Sequence, residues 1–446
     1  MKIQTLFIWV TRLWLFLLPL QTHYVLQSET LEAHLWPFGE ISLYLLDILL
    51  VVVIFVALLA RKSWRAVPLS SIVGFVIFVA LLAVSVFVNH DAKNTWVLFL
   101  RFLEGFFLLA ILAVIPDKTR FLGIFFIAGI FGASFFGVWQ FIAQYVPGSS
   151  YVGVAEQIPS VAGVSVLLSS IGRYMRAYGT FSHPNIFGGY PASASLFLFA
   201  LVLRRKENFI THGHNIKAFV RQHGWVVASV ILFAALAFSF SRSAWLGLAC
   251  GLVVLAAVTI QRNYRHELRL WVFAALIPII FLTTNVSVFS PLITERVLVR
   301  ESVEQVSLQD RHRSIVDGVD IIKSHWAEGI GLGRSTYYIQ AQGEGKLYWW
   351  EIQPPHNIFL LLAGEASIFT AIAFLWVLLF LSRDAYIAIK SQRRSRFPLS
   401  ALGLSFVVLI VVIGLFDHYL VTLPAGIFLL FTLLGFSVRT SIEENT

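Results

Sequence analysis

The sequence predicts an all-α polytopic membrane protein: about twelve transmembrane helices, with a large extracytoplasmic loop that contains an amphipathic helix. Three observations lead there. Of the 446 residues, 58% are hydrophobic and only 13% charged, about half the charged share of a soluble chain, and the mean hydropathy is +0.80. Twelve stretches are apolar over roughly the 20 residues that a bilayer requires. Lys and Arg also gather in alternate connections, as membrane insertion demands. Residues 1–446 are expected to form a single integral membrane domain.

The first stretch, 5–22, follows Lys2 and lacks a small-residue cleavage site, so it reads as a first span and not as a secretory signal. The others are 41–60, 68–88, 96–115, 121–145, 184–203, 224–240, 243–260, 269–289, 357–381, 398–416 and 419–438. Pro68, Pro116, Pro147 and Pro184 punctuate several ends. With the N-terminus in the cytoplasm, the inward connections 61–65, 117–120, 204–221, 261–269 and 382–396 hold 18 Lys and Arg residues. The short outward connections 23–40 and 89–95 hold 0 and 1. Both termini are therefore expected in the cytoplasm, and the net charge of +9 is a topology signal with some attraction to membrane lipids. The basic loops lack interleaved aromatics, so nucleic acid is not an expected partner.

Two outward connections are long: 146–183 and a large extracytoplasmic loop over 290–356. In the second, Ile315, Val319, Ile322 and Trp326 recur at helical spacing, which predicts an amphipathic helix lying on the bundle or the outer membrane surface. Cys250 is the single cysteine, so no intrachain disulfide is possible. No cysteine cluster, His-Glu-x-x-His or Gly-x-Ser-x-Gly motif occurs, so no metal and no cofactor is predicted. The segment GIGLGRS (329–335) lacks the strand and the Lys-Ser/Thr of a nucleotide loop, although Gly331 and Gly333 would permit close backbone approach to an anion.

The costly polar residues gather toward the outer side. His356 and Asn357 sit where the tenth span begins, behind Pro354 and Pro355. Arg242 lies between Ser241 and Ser243 in a tight outward turn. Arg311 and Arg313 open the loop helix; Arg173, Arg176 and His183 lie in the other long loop. Asp47, Glu104 and Glu365 occupy the outer halves of their spans, and Arg101 is placed to pair with Glu104 at i,i+3. Guanidinium forks match phosphate oxygens and keep their charge in a low dielectric. A lipid diphosphate, with its head at this depth and its tail in the bilayer, is the ligand that fits. The simpler roles are interface anchoring for Arg173 and Arg176, solvated charge for the loop arginines, helix-packing contacts for Glu104 and Glu365, and polar caps for His183 and His356.

Four segments together resemble the O-antigen ligase and polymerase superfamily of bacterial membrane glycosyltransferases. RAYGTFSHPNIFGG (176–189) is similar to its Gly-Thr-Phe…Pro-Asn element, and FSFSRSAWLGL (238–248) to its Ser-Arg hairpin. DRHRSIVDGVDIIKSHWAEGIGLG (310–333) is similar to its loop helix and glycine turn, and PHNIFLLLAGEASIFTAIAFL (355–375) to its His-Asn helix. Trp326, Ile315 and Ser367 depart from the residues common in the family, which are Pro, Trp and Gly. The ligase-like core covers 170–380. The resemblance implies a GT-C-type fold in the bacterial cytoplasmic (inner) membrane, with the active site on its outer face. It implies metal-independent transfer of a glycan from an undecaprenyl-diphosphate-linked donor to a glycan or lipid acceptor hydroxyl, in surface polysaccharide biosynthesis in the cell envelope. It matches Arg242 and Arg311 to phosphate-binding arginines and His356 to an essential histidine; Arg313 is an alternative to Arg311.

On this reading His356, Arg242 and Arg311 are catalytic, with Arg313, Arg176, Asn357, His183 and Glu365 binding substrate. The arginines would stabilise charge building on the leaving diphosphate. His356, as neutral base or positioner, would orient the acceptor hydroxyl and take its proton, and inversion at the sugar is expected. Ligase and polymerase differ in acceptor, which the sequence does not distinguish. The rival is a twelve-span transporter or flippase of a lipid-linked or anionic substrate. That class predicts midplane charges and two similar halves, whereas here the polar groups favour the outer half and one outer loop dominates.

Overall fold

The computed structural model describes residues 2–31, 34–61, 69–89, 93–169, 172–204, 216–262, 291–292, 302–342, 352–392 and 397–445. The predicted span 269–289, the aromatic approach 348–351 and most of the basic segments 61–65, 204–221 and 261–269 lie outside the described residues. Within them the chain is mostly helical, because a segment surrounded by hydrocarbon must pair its backbone groups internally. Among the described residues, six helices are long and apolar enough to cross a membrane, and five further apolar stretches of 10–17 residues lie in other helices. The protein is an integral membrane protein of largely helical build.

Helix α1 (Ile3–Leu17) is followed by a feature that hydropathy did not foretell. Strands β1 (His23–Leu31) and β2 (His34–Tyr44) form an antiparallel hairpin, with His23 opposite Tyr44 and Leu31 opposite His34. A second small hairpin, β3 (Val166–Ser169) with β4 (Gly172–Met175), lies in the loop after α5. The hairpins are small additions to a predominantly helical chain, in keeping with the expected all-α class. Both hairpins fall in connections too polar for hydrocarbon, where strand pairing satisfies the backbone instead.

Helices α2 (Leu45–Leu59), α3 (Leu69–Val88), α4 (Lys93–Val114) and α5 (Thr119–Ala143) follow the predicted spans closely. So do α6 (Pro184–Leu203), α7 (Ile216–Ser239) and α8 (Arg242–Gln261). Pro184 takes the first turn of α6, where its missing N–H costs nothing.

The loop helix α9 (Ser302–His325) forms, but its predicted face is displaced. Ser314 and Ile321 are buried, while Ile315 is 44% and Trp326 53% exposed. The cause is close packing. A Cβ on Gly318 would stand 3.2 Å from the Pro355 side chain, and one on Gly364 would stand 2.9 Å from Ile321. Small residues therefore let α9 lie on the 355–364 segment, and the stripe turns to suit.

The tenth predicted span is broken into α11 (Ile358–Glu365) and α12 (Ile368–Ser391), after the short α10 (Ser335–Gln342). The glycine turn takes the carbonyls that a continuous helix would use. Ile330 N–H donates to the Gly364 carbonyl at 3.0 Å and Gly331 N–H to that of Glu365 at 2.8 Å. The Ile368 N–H is diverted to the Trp326 carbonyl at 2.9 Å. Helix α13 (Ser400–Phe416) follows, and the last predicted span is likewise split at Leu423, into α14 (Tyr419–Thr422) and α15 (Pro424–Asn445).

Helix α15 is the most enclosed of the six membrane-length helices. Its Arg439 is fully buried and donates to the carbonyls of Leu112, Ile115 and Asp117 and to Thr119 Oγ1. These carbonyls close the C-terminal end of α4, where a cation is favoured by the helix dipole. Arg12 adds a two-pronged pair with Asp117, at 2.8 and 3.0 Å.

Candidate active site

Four chain segments meet at one end of the bundle. After β4 the chain runs inward: Ala177 N–H donates to the Phe238 carbonyl at 2.9 Å, and Gly179 N–H to Gln140 Oε1 at 2.8 Å. These ties set Arg176 against the α7–α8 turn. Its Nε donates to the Ser239 carbonyl at 2.7 Å and its Nη2 to Asn185 Oδ1 at 2.6 Å. Asn185 Nδ2 then donates to Asp417 Oδ2 at 2.8 Å, and Asp417 Oδ1 accepts from the His418 N–H at 3.1 Å. Arg176, Asn185, Asp417 and His418 are all buried.

His418 carries the arrangement to His356. Their rings stand edge to face, centroids 5.0 Å apart. The His356 backbone N–H points to Ser314 Oγ at 3.3 Å, and that oxygen lies 3.4 Å from its Nδ1. Ser314 Oγ donates to the Arg311 carbonyl at 2.9 Å, so the loop helix and the His356 segment are joined where Arg311 stands. His183 closes the group from the α6 side: its Nδ1 accepts from the Asn185 N–H at 3.1 Å, and its Nε2 lies 3.1 Å from Ser165 Oγ.

The electrostatics follow from burial beside cations. The His356 pKa is lowered from 6.5 to about 4, first by burial and then by the Arg311 charge, against a hydrogen bond to the Pro354 backbone. His418 is also pushed well down, by burial, by His356 and His183, and by Arg311. Burial raises Asp417, opposed chiefly by Arg311 and then by Asn185. The outcome is a neutral imidazole at His356, flanked by fixed positive charge.

The structure thus brings together His356, Arg311, Arg176 and His183. Arg242 is the first residue of α8, three positions past the Ser239 carbonyl that anchors Arg176. A Cβ on Gly188 would stand 2.7 Å from Ser241 Cβ, so this turn is pressed onto α6. Arg313 is exposed and acts on Asp317 of its own helix. Asn357 caps α11, its Oδ1 accepting from the N–H groups of Phe359 and Leu360 at 2.9 and 3.1 Å. Glu365 holds the glycine turn, accepting from Gly333 N–H at 2.8 Å and Ser335 N–H at 3.0 Å. The anion that the glycine turn approaches is therefore this internal carboxylate. Arg173 turns to the carbonyls of Pro159 and Val161, away from the group.

Asp417, His418 and Ser314 were not singled out from the sequence. The available signal was FDHY (416–419), two titratable residues at the seam of two apolar runs, the same signature that marked His356.

Residues 227–375 match the family model of the O-antigen ligases. About a third of the chain is thus similar to the O-antigen ligases. The matched stretch takes in the α7–α8 turn with Arg242, the loop helix with Arg311, the glycine turn and the His356 segment. The resemblance drawn from the motifs is thereby supported by an independent comparison. Arg176, His183 and the Asp417–His418 corner lie outside the matched residues and join them through the contacts above. No curated protein sequence matches the chain. The match likens this stretch to the O-antigen ligases, a family of surface-polysaccharide glycan transfer.

Proposed function

We propose that the protein transfers a glycan from an undecaprenyl-diphosphate-linked donor to an acceptor hydroxyl, as an O-antigen or surface-polysaccharide ligase or polymerase. The reaction inverts the anomeric centre, proceeds without a metal ion, and takes place at the outer face of the bacterial inner membrane, with both termini in the cytoplasm. One observation carries the proposal: the buried path from Arg176 through Asn185 and Asp417 to His418 and His356, with the charge of Arg311 acting on its last three members.

The chemistry divides between the two groups. The acceptor oxygen forms a bond to the anomeric carbon while the bond from that carbon to the diphosphate oxygen breaks. The electron pair leaves with undecaprenyl diphosphate, and the acceptor proton passes to His356. Arg242 and Arg311 meet the charge that grows on the leaving group, their guanidinium forks matching phosphate oxygens. The same charge governs the base. In the free protein Arg311 helps hold His356 neutral near a pKa of about 4. An arriving diphosphate would offset that cation and raise the basicity of His356 as the substrate is seated.

The deciding experiment replaces His356→Ala and Arg242→Ala in the native host, with surface glycan and lipid-linked intermediates then measured. Both variants are expected to reach the membrane at normal levels, lose transferred glycan and accumulate the undecaprenyl-linked precursor. Normal surface polymer in both would refute the assignment. A polymerase is separated from a ligase by its product, since loss of a polymerase leaves single repeat units attached.

A further inference from the structure

Beside the His356 group lies a partly open cavity of about 120 Å³, bounded by β2, α4, the start of α10 and the corner between α14 and α15. Its walls touch both histidines. Phe38 packs on the His418 ring, centroids 6.1 Å apart, and Thr422 Oγ1 lies 2.8 Å from His418 Nδ1. Pro354, another wall residue, offers its backbone to His356.

The lining suits a neutral, hydroxyl-rich ring. Arg101 is buried and held in place by Asp47, by Glu104 at 2.9 Å and by the Ser42 carbonyl at 2.6 Å, with its guanidinium 5.2 Å from the Tyr44 ring centre. Glu40 and Glu365 also face the cavity, which makes it unfavourable for a phosphate. Phe38 and Tyr44 present aromatic surface of the kind that packs on the C–H face of a ring. Thr336 gives the most direct sign of a ligand. It is 1% exposed, lines the cavity, and its hydroxyl has no hydrogen-bond partner among the described residues. A buried hydroxyl without a partner is costly. The volume lies somewhat below the roughly 150 Å³ that takes one benzene ring, so the partly open cavity encloses part of a single sugar ring and leaves the rest in its mouth.

We propose that this cavity is a carbohydrate subsite receiving one sugar ring of a glycan substrate beside the Phe38, Thr422 and Pro354 walls that contact His418 and His356, with Thr336 as one of its hydrogen-bonding groups. The proposal rests on the glycan-transfer reading above and deepens it. The ring belongs either to the acceptor, whose hydroxyl must lie near His356, or to the donor glycan next to its reacting carbon. Both offer the same chemistry.

The test uses the full chain in proteoliposomes, with lipid-linked glycan extracted from the host as donor and the host's own acceptor. Thr336→Val keeps the shape and removes the hydroxyl, while Thr336→Phe fills the space; His356→Ala is the reference. Thr336→Val is expected to raise KM by roughly two- to ten-fold, the range for losing one neutral hydrogen bond, with the thermal midpoint unchanged or higher. Thr336→Phe should reduce transfer further. A rise in KM confined to the acceptor assigns the ring to the acceptor, and one confined to the donor assigns it to the donor glycan. Wild-type KM for both substrates in Thr336→Val, with wild-type transfer by Thr336→Phe, would make the cavity a hydrated void and overturn the proposal. Undiminished transfer by His356→Ala would instead overturn the catalytic reading, so the two failures are distinguishable.

Discussion

The rings of His356 and His418 stand nearly perpendicular, at 84° and 5.0 Å between centroids, although they come from different corners of the bundle. Two imidazoles so close cannot both be charged cheaply in a buried site. Burial, and after it the Arg311 charge, keeps His356 neutral, while burial and then the nearby His356 ring hold His418 neutral.

A pH dependence follows. The folded pKa of His356 is depressed to about 4 from 6.5. Its contribution to stability is therefore fully present above about 6.5 and is lost as pH falls toward 4, where the folded protein must also bind the proton. If His356 is the base, the acid limb of kcat/KM for the reconstituted protein should have its midpoint near 4. A limb centred on 6.5 would contradict the environment described.

The two loop arginines should behave differently. Arg311 acts on His356, Asp417 and His418, whereas Arg313 is exposed. Arg311→Ala is expected to lower kcat by about 10² to 10³, as for loss of a preorganised charge-stabilising group, and to move the acid limb upward. Arg313→Ala should stay within a few-fold, the range for a surface change of about 0.5 kcal/mol. Equal losses in side-by-side transfer assays would show that this division is wrong.

Arg176→Lys tests the fork. A lysine cannot reproduce the Nε and Nη2 bonds to the Ser239 carbonyl and Asn185 at once. A stability loss of roughly 2 to 4 kcal/mol is expected from bonds to a buried charged group, read as a lower melting midpoint in detergent. An unchanged midpoint would mean that the fork does not hold the α6 and α7 ends together.

The glycine turn gives a graded prediction. Gly329 has φ +68°, and a Cβ there would lie 2.3 Å from the Glu365 carbonyl oxygen. Gly333 has φ +73°, yet its nearest neighbour would be 3.5 Å away. Both alanine variants carry a left-handed penalty of about 1–2 kcal/mol, but only Gly329→Ala adds a clash with backbone. It should accumulate poorly in membranes while Gly333→Ala folds and transfers glycan. Comparable membrane levels of the two proteins would count against this account of the turn.

Much of this was legible in the sequence. Hydropathy located the apolar helices, though not the short α10, because a bilayer constrains composition and length together. His356, Arg242 and Arg176 stood out because a titratable or charged group at an apolar seam is rare. The helix breaks at Ala366 and Leu423 were not legible: the first depends on Ile330 and Gly331 taking carbonyls of α11, a pairing between distant segments. The Asn185–Asp417 bond is equally non-local and leaves no periodicity. The β1–β2 hairpin was missed because alternation there is weak and its exposed face is partly apolar. The face of α9 was misplaced because packing beside Gly318 and Gly364 depends on size, which an apolar stripe does not record.

The placement of Arg439 bears on how the bundle is made. The helix at its centre is the last one described along the chain, and its guanidinium closes the end of α4, synthesised far earlier. Until it arrives, α4 must wait in the bilayer with that end uncapped, and the corner bearing Asp417 and His418 comes no sooner than its immediate neighbours. The polar cluster around Asp417 and His418 therefore draws together segments made early and segments made near the end of the described chain.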